Sequence, residues 1–371
     1  MRRPSGIELR TLQAIELEDI ARGAAVLGTG GGGDPYLGTL AALCSLEQFG
    51  QPTLIEVDEL ADDALVALPF LIGSPVPLIE KFPLGQELID AFQGLDRFLP
   101  GTLTAVMPAE IGGANSVVPL VVGSRLGIPI VDADCMGRAY PEVQLVTLTL
   151  HGIDATPLAL ADEHGNQVVL STVDNASAER LARTVVVEFG AICTAMAYAV
   201  TGRQVKAAAI AGSITYAQRI GRALREAVST KRDPIAAVAE QTNGVILFRG
   251  KIADVQRRTQ RGWALGEATL LGLDEDLGSE LTVRFQNENL VAIRDGGVVA
   301  TVPDLIAILD ADTGQAITTE RLRYGHRAVV LGIPCDPVWR TTAGIELGGP
   351  RHFGYDVEYL PVESGFAARL R

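Results

Sequence analysis

Cysteine, histidine and clustered basic residues are what this chain is short of, and each shortage closes off a class of function. The four cysteines, Cys44, Cys135, Cys193 and Cys335, are scattered with no C-x-x-C pair. Neither a zinc cluster nor a disulfide framework is expected, and a reducing, cytoplasmic setting fits. The four histidines, His151, His164, His326 and His352, match no familiar ligand spacing, so no metal is expected. Net charge is -14, from 31 Lys and Arg against 45 Asp and Glu, and no basic run is interleaved with aromatics. Nucleic acid and anionic membranes are therefore not expected as partners. Arg125 interrupts the most hydrophobic long stretch, 117–131, and no apolar run follows the basic N-terminal residues, so neither a membrane span nor a signal peptide is expected. Without G-x-G-x-x-G or a P-loop lysine, no dinucleotide or other cofactor is expected.

What remains is a globular composition, 47% hydrophobic and 20% charged over 371 residues. That length favours two domains, placed at 12–172 and 173–362. The first reads as an α/β domain with a mixed or parallel sheet. The second reads as helices followed by a β-rich, barrel-like module, an α+β arrangement, because short apolar runs from Val245 onward are punctuated by turns such as Asp295-Gly296-Gly297.

The most unusual stretch is Gly28-Thr29-Gly30-Gly31-Gly32-Gly33-Asp34-Pro35. Four consecutive glycines cost chain entropy that only close approach or an unusual turn offsets. Helical spacing through Leu17, Ile20, Ala24 and Leu27, and Asp34-Pro35 as a cap and first turn, place these glycines between two helices. Free N–H groups there suit a small anion or developing negative charge; close crossing of the two helices is the alternative. A second glycine turn, Glu110-Ile111-Gly112-Gly113-Ala114-Asn115, lies after a short strand at 102–107 and before a helix ending at Leu126. Open α/β sheets bind ligands at such a place.

Together with Asp132-Ala133-Asp134-Cys135-Met136-Gly137-Arg138, Ala161-Asp162-Glu163-His164-Gly165-Asn166 and Phe285-Gln286-Asn287-Glu288-Asn289, these stretches resemble the S-methyl thiohydantoin desulfurase family, over about Glu16 to Leu360. The resemblance implies hydrolytic removal of a methylthio group from a five-membered cyclic ureide. It also implies association with hydantoinase or oxoprolinase systems. A non-catalytic partner subunit of such a system and a small anion-binding protein are the alternatives. The resemblance carries no catalytic residues, so roles are assigned from chemistry.

Water attack at a ring carbon bearing sulfur needs a base, donors for developing charge and an acid for the leaving group. Asp132, Asp134, Glu110 and His151 are the catalytic candidates. The aspartates, two apart at a strand end, would project to one side if the strand continues; turn capping is the competing role. His151 follows 143–150, whose alternating Thr and Leu read as a strand. Gly30, Gly31, Gly32, Gly33, Asp34, Gly112, Gly113, Asn115 and Arg138 are the substrate-binding candidates. Asn115 serves equally as a helix cap, and Arg138 as a partner of the aspartates. The Gln286 to Asn289 tetrad is costly if buried and an ordinary turn if exposed. The high apolar content also suits a homo-oligomer.

Overall fold

A computed structural model describes residues 10–33, 35–73, 85–260 and 263–364. Asp34, Pro75 and Pro77 lie outside the described residues. The helix Ala14–Leu27 buries Leu17, Ile20, Ala24 and Leu27, and Pro35–Phe49 follows it. The glycine run therefore joins two helices.

Eight strands make the first sheet, in the spatial order Arg10–Thr11, Thr53–Ile55, Ile130–Val131, Leu103–Val106, Leu65–Gly73, Ile192–Thr201, Leu158–Ala161 and Gln167–Leu170. The sheet is mixed: Leu65–Gly73, Leu103–Val106, Ile130–Val131 and Thr53–Ile55 run parallel, while the flanking pairs are antiparallel. Leu65–Gly73 is nearly all apolar and buries Val66, Ala67, Leu68, Phe70 and Ile72, as a strand covered on both faces must. Helices Gln86–Asp96 and Val118–Leu126 return the chain between parallel neighbours, so the strands ending at Val106 and Gly73 share one carboxyl edge.

The second sheet is antiparallel and curls into a half-barrel, in the order Gly297–Thr301, Glu288–Arg294, Glu280–Gln286, Trp263–Gly272, Val245–Gln260, Arg327–Ile333 and Leu305–Asp310. Its residues alternate between two cores. Leu305, Ala307 and Leu309 join the large core shared with the first sheet, whereas Ile306 and Ile308 join a second core on the other face. This is the two-residue period of a strand buried on both sides.

The first sheet takes in a strand from beyond residue 173: Ile192–Thr201 pairs with Leu65–Gly73 on one side and Leu158–Ala161 on the other. Asp174 does cap the intervening helix Asn175–Glu188, accepting from Ser177 N at 2.7 Å. The segment 143–150 is not a strand: it ends in a short helix, Thr147–Leu150, that starts as Thr147 N donates to Cys135 O at 2.8 Å. Alternating Thr and Leu mimic a strand period, but a single helical turn is too short to display a period of its own.

Candidate functional site

The two glycine turns meet. Ala114 N donates to Gly32 O at 2.8 Å, and a Cβ added at Gly32, whose φ is +75°, would lie 2.4 Å from Gly112 O. Only a residue without a side chain lets these backbones approach so closely. On its other flank the first turn is gripped by the second sheet. Asn289 N donates to Thr29 O at 2.7 Å, and Thr319 donates to Gly30 O through N at 2.8 Å and Oγ1 at 3.1 Å. Among the described residues, no hydrogen-bond acceptor meets the amides of Gly32 or Gly33.

Beside this junction opens a cleft of roughly 790 Å³, counted out to its mouth. Gly31, Gly32 and Gly33 form one wall, the carboxyl end of Leu65–Gly73 another, and Tyr140 to Val143, Tyr198 and the Asn287-Glu288 turn complete it. Two buried carboxyls line it. Glu110 sits where the chain leaves Leu103–Val106. Its Oε1 accepts from Asn115 Nδ2 at 2.6 Å and its Oε2 from Tyr140 N at 3.2 Å. Burial outweighs both donors and pushes its carboxyl up to about 8 from the ordinary 4.5. Glu288 follows the hairpin residue Asn287, which is held at φ +57° while its side chain accepts from Ala264 N at 2.9 Å. Glu288 is 2% exposed, and its Oε2 has no hydrogen-bond partner among the described residues. Burial first, and then the neighbouring Glu110, push its carboxyl well above the ordinary range. Gly31 lies directly against it: a Cβ there would fall 1.9 Å from Glu288 Oε1.

Arg183, on helix Asn175–Glu188, also lines the cleft. Its Nε donates to Glu179 and its Nη2 to Pro141 O at 2.6 Å, with the guanidinium over the Trp263 ring at 5.4 Å. Its Nη1 is buried without a hydrogen-bond partner. Tyr198, at the strained φ of +51° within its strand, donates to Val143 O at 3.1 Å and fixes that wall.

Of the residues singled out in the sequence, Glu110, Asn115, Gly31, Gly32 and Gly33 line the cleft. Asn115 is fully occupied. It bonds Glu110 and also both N (2.7 Å) and O (3.2 Å) of Leu71, pinning a strand end to the glutamate. Gly30, Gly112 and Gly113 serve the junction behind the wall. Asp34 lies outside the described residues.

Others stand elsewhere. Asp132 and Asp134 do not share a side, because the chain changes sheets between them: Ile130–Val131 pairs with Thr53–Ile55, and Ala133–Asp134 with Ile210–Ala211. Asp132 holds the start of helix Ser213–Ser229, accepting from Ile214 N at 2.9 Å, Thr215 N at 3.1 Å and Thr215 Oγ1. Asp134 Oδ2 closes a turn, accepting from Ile111, Met136 and Gly137 amides at 2.9, 3.1 and 2.7 Å. Neither lines the cleft. His151 is exposed at the end of Thr147–Leu150 and does not line the cleft. Arg138 neither pairs with the aspartates nor reaches the cleft. Fully buried, it donates to Pro303 O at 2.7 Å, Asp304 O at 3.1 Å and Thr29 Oγ1 at 3.1 Å, tying the glycine turn to the second sheet. No group of three or more potential metal ligands occurs among the described residues, and none of their helices is long and apolar enough to cross a membrane.

Glu288 and Arg183 were missing from the candidates. The polar tetrad 286–289 between apolar strands was the available signal for the first. The second gives no such signal: i+4 spacing from Glu179 on a helix implies only an ordinary ion pair, which exists and leaves Nη1 over.

A crystal structure of a protein from Chromobacterium violaceum has the same fold, with a TM-score of 0.76 at 23% identity over 95% of this chain and 100% of that one. No curated protein matches. Models of the S-Me-THD-like N-terminal and C-terminal domains match residues 15–172 and 173–362. With both matches running consecutively through nearly its whole length, the chain belongs to the S-Me-THD-like family.

Proposed function

We propose that this chain is a hydrolase that converts S-methyl thiohydantoins to hydantoins and methanethiol in the cleft between the glycine turns and the Asn287-Glu288 hairpin. The observation that carries this reading is the pair of buried carboxyls, Glu110 and Glu288, lining one cleft with unequal surroundings. Glu110 receives two donors that favour its anion, whereas Glu288 Oε2 receives none. Carboxyls whose environments separate their proton affinities divide the acid and base roles. Glu110, the easier to ionise, takes a proton from water as its oxygen adds to the ring carbon bearing sulfur. Glu288, which keeps its proton, gives it up as the carbon–sulfur bond breaks and methanethiol leaves. The amides of Gly32 and Gly33 serve as donors to charge developing on the ring.

The test is methanethiol release from a panel of S-methyl thiohydantoins by purified protein, followed with a thiol reagent. Turnover by the wild type and its loss in Glu110→Gln and Glu288→Gln are expected. A folded wild type that releases no thiol from any member of the panel overturns the proposal. Because the two carboxyls interact, the pH profile reports the pair: kcat/KM should climb with pH toward about 8, where Glu110 gives up its proton, and fall once Glu288 follows.

A further inference from the structure

The lining of the cleft bears on which ring it takes, an inference that rests on the hydrolase reading. Glu110, Glu288, Asn287 and Arg183, whose Nη1 is buried without a partner among the described residues, line it together with the apolar Phe70, Ile72, Val143, Val146 and Ile192. We infer that the cleft selects cyclic ureides carrying an uncharged, apolar substituent at the ring's tetrahedral carbon, with a ring carbonyl accepting from Arg183 Nη1.

Two opposing effects have to be weighed for an acidic substituent. Arg183 is a cation and would attract it, but its Nε is already committed to Glu179, and Glu142 also lines the cleft. A second carboxylate would either lie against the apolar lining, stripped of water without a partner, or approach the existing glutamates. Both are unfavourable for a charged group. The ring carbonyl, by contrast, satisfies a buried donor that otherwise has none. A planar guanidinium anchored at Nε and Nη2 presents its remaining nitrogen in a fixed direction, so Arg183 is a binding residue and lysine would not replace it.

Binding of product-like hydantoins by calorimetry tests this without relying on turnover. The 5-isobutyl and 5-benzyl compounds should bind at least tenfold tighter than 5-carboxymethylhydantoin, and Val146→Asp should narrow that ratio. Wild type should prefer hydantoin to at least one ring analogue lacking a carbonyl. Arg183→Met should abolish that preference with its melting temperature monitored, a readout that a purely structural arginine would not move. Equal or tighter binding of the carboxymethyl compound overturns the inference while leaving the hydrolase reading in place. Retained carbonyl discrimination in folded Arg183→Met overturns the role of the arginine. Binding of no hydantoin by the folded wild type overturns both readings.

Discussion

The turn from Asp132 to Arg138 and the cleft wall from Glu110 to Glu288 contain the same kind of group, a fully buried carboxyl, put to opposite ends. In the turn, protein amides and a hydroxyl occupy both oxygens of Asp132, and three amides occupy one oxygen of Asp134, whose other oxygen has no partner among the described residues but does not line the cleft. Glu288, which does line the cleft, has a buried oxygen without a partner among them. A carboxylate surrounded by its own backbone is architecture, since its removal strands several donors. One left short of donors beside a hollow has proton affinity to spend on something else. Burial alone does not tell the two apart. What the carboxyl bonds to, together with whether it borders the cleft, does.

Substitutions in the two regions should separate cleanly. The largest expected effect is on turnover: Glu110→Gln and Glu288→Gln each lose about 10²- to 10⁴-fold in kcat, measured by thiol release on protein that remains folded. Asp132→Ala should do the reverse. Leaving two helix amides without an acceptor costs about 3 kcal/mol in urea unfolding, while the surviving folded fraction turns over normally. Loss of turnover there beyond the loss of folded protein would erase the distinction. Gly31→Ala should fall between, because its new Cβ meets the far end of Glu288 rather than backbone. The carboxyl swings aside, so kcat drops about tenfold before stability is touched.

The smallest effect is on pH dependence. Glu110 holds its proton up to about 8 when folded, against an ordinary 4.5, so between those values the native state binds more protons than the unfolded chain. Stability must then decline as pH rises through that window. Asp134, raised by burial to about 7 from 3.8, adds to the decline over a lower range. Urea titrations at several pH values should show a shallower slope in Glu110→Gln, and an unchanged slope would mean that Glu110 is ionised throughout.

Much of this was legible in the sequence, for identifiable reasons. Glycine runs announce close backbone approach, and both turns are where backbones touch. Apolar spacing located the helices around the first turn, and Asp295-Gly296 sits at positive φ between paired strands as its composition implied. Glu110 could be found because it follows a strand that ends at the ligand-binding edge of a parallel sheet. The aspartates misled because a two-residue period predicts a shared side only within one continuous strand, and this chain changes partners at Asp132. Arg138 and Glu288 could not be sorted by residue type: one is a buried cation spent on carbonyls of the second sheet, the other a buried acid facing a hollow. Both facts depend on contacts between segments far apart in the chain.

The clasp between Gly30 and Thr319 spans 289 positions of sequence, and it has a consequence for the order of events during synthesis. A ribosome completes both glycine turns long before it makes the residues that grip them, so the pocket wall has no Glu288 and no Thr319 clasp until the late strands emerge and dock. Until then the glycine turns lack the wall that completes the cleft, and Glu110, made early, waits for Glu288, made late.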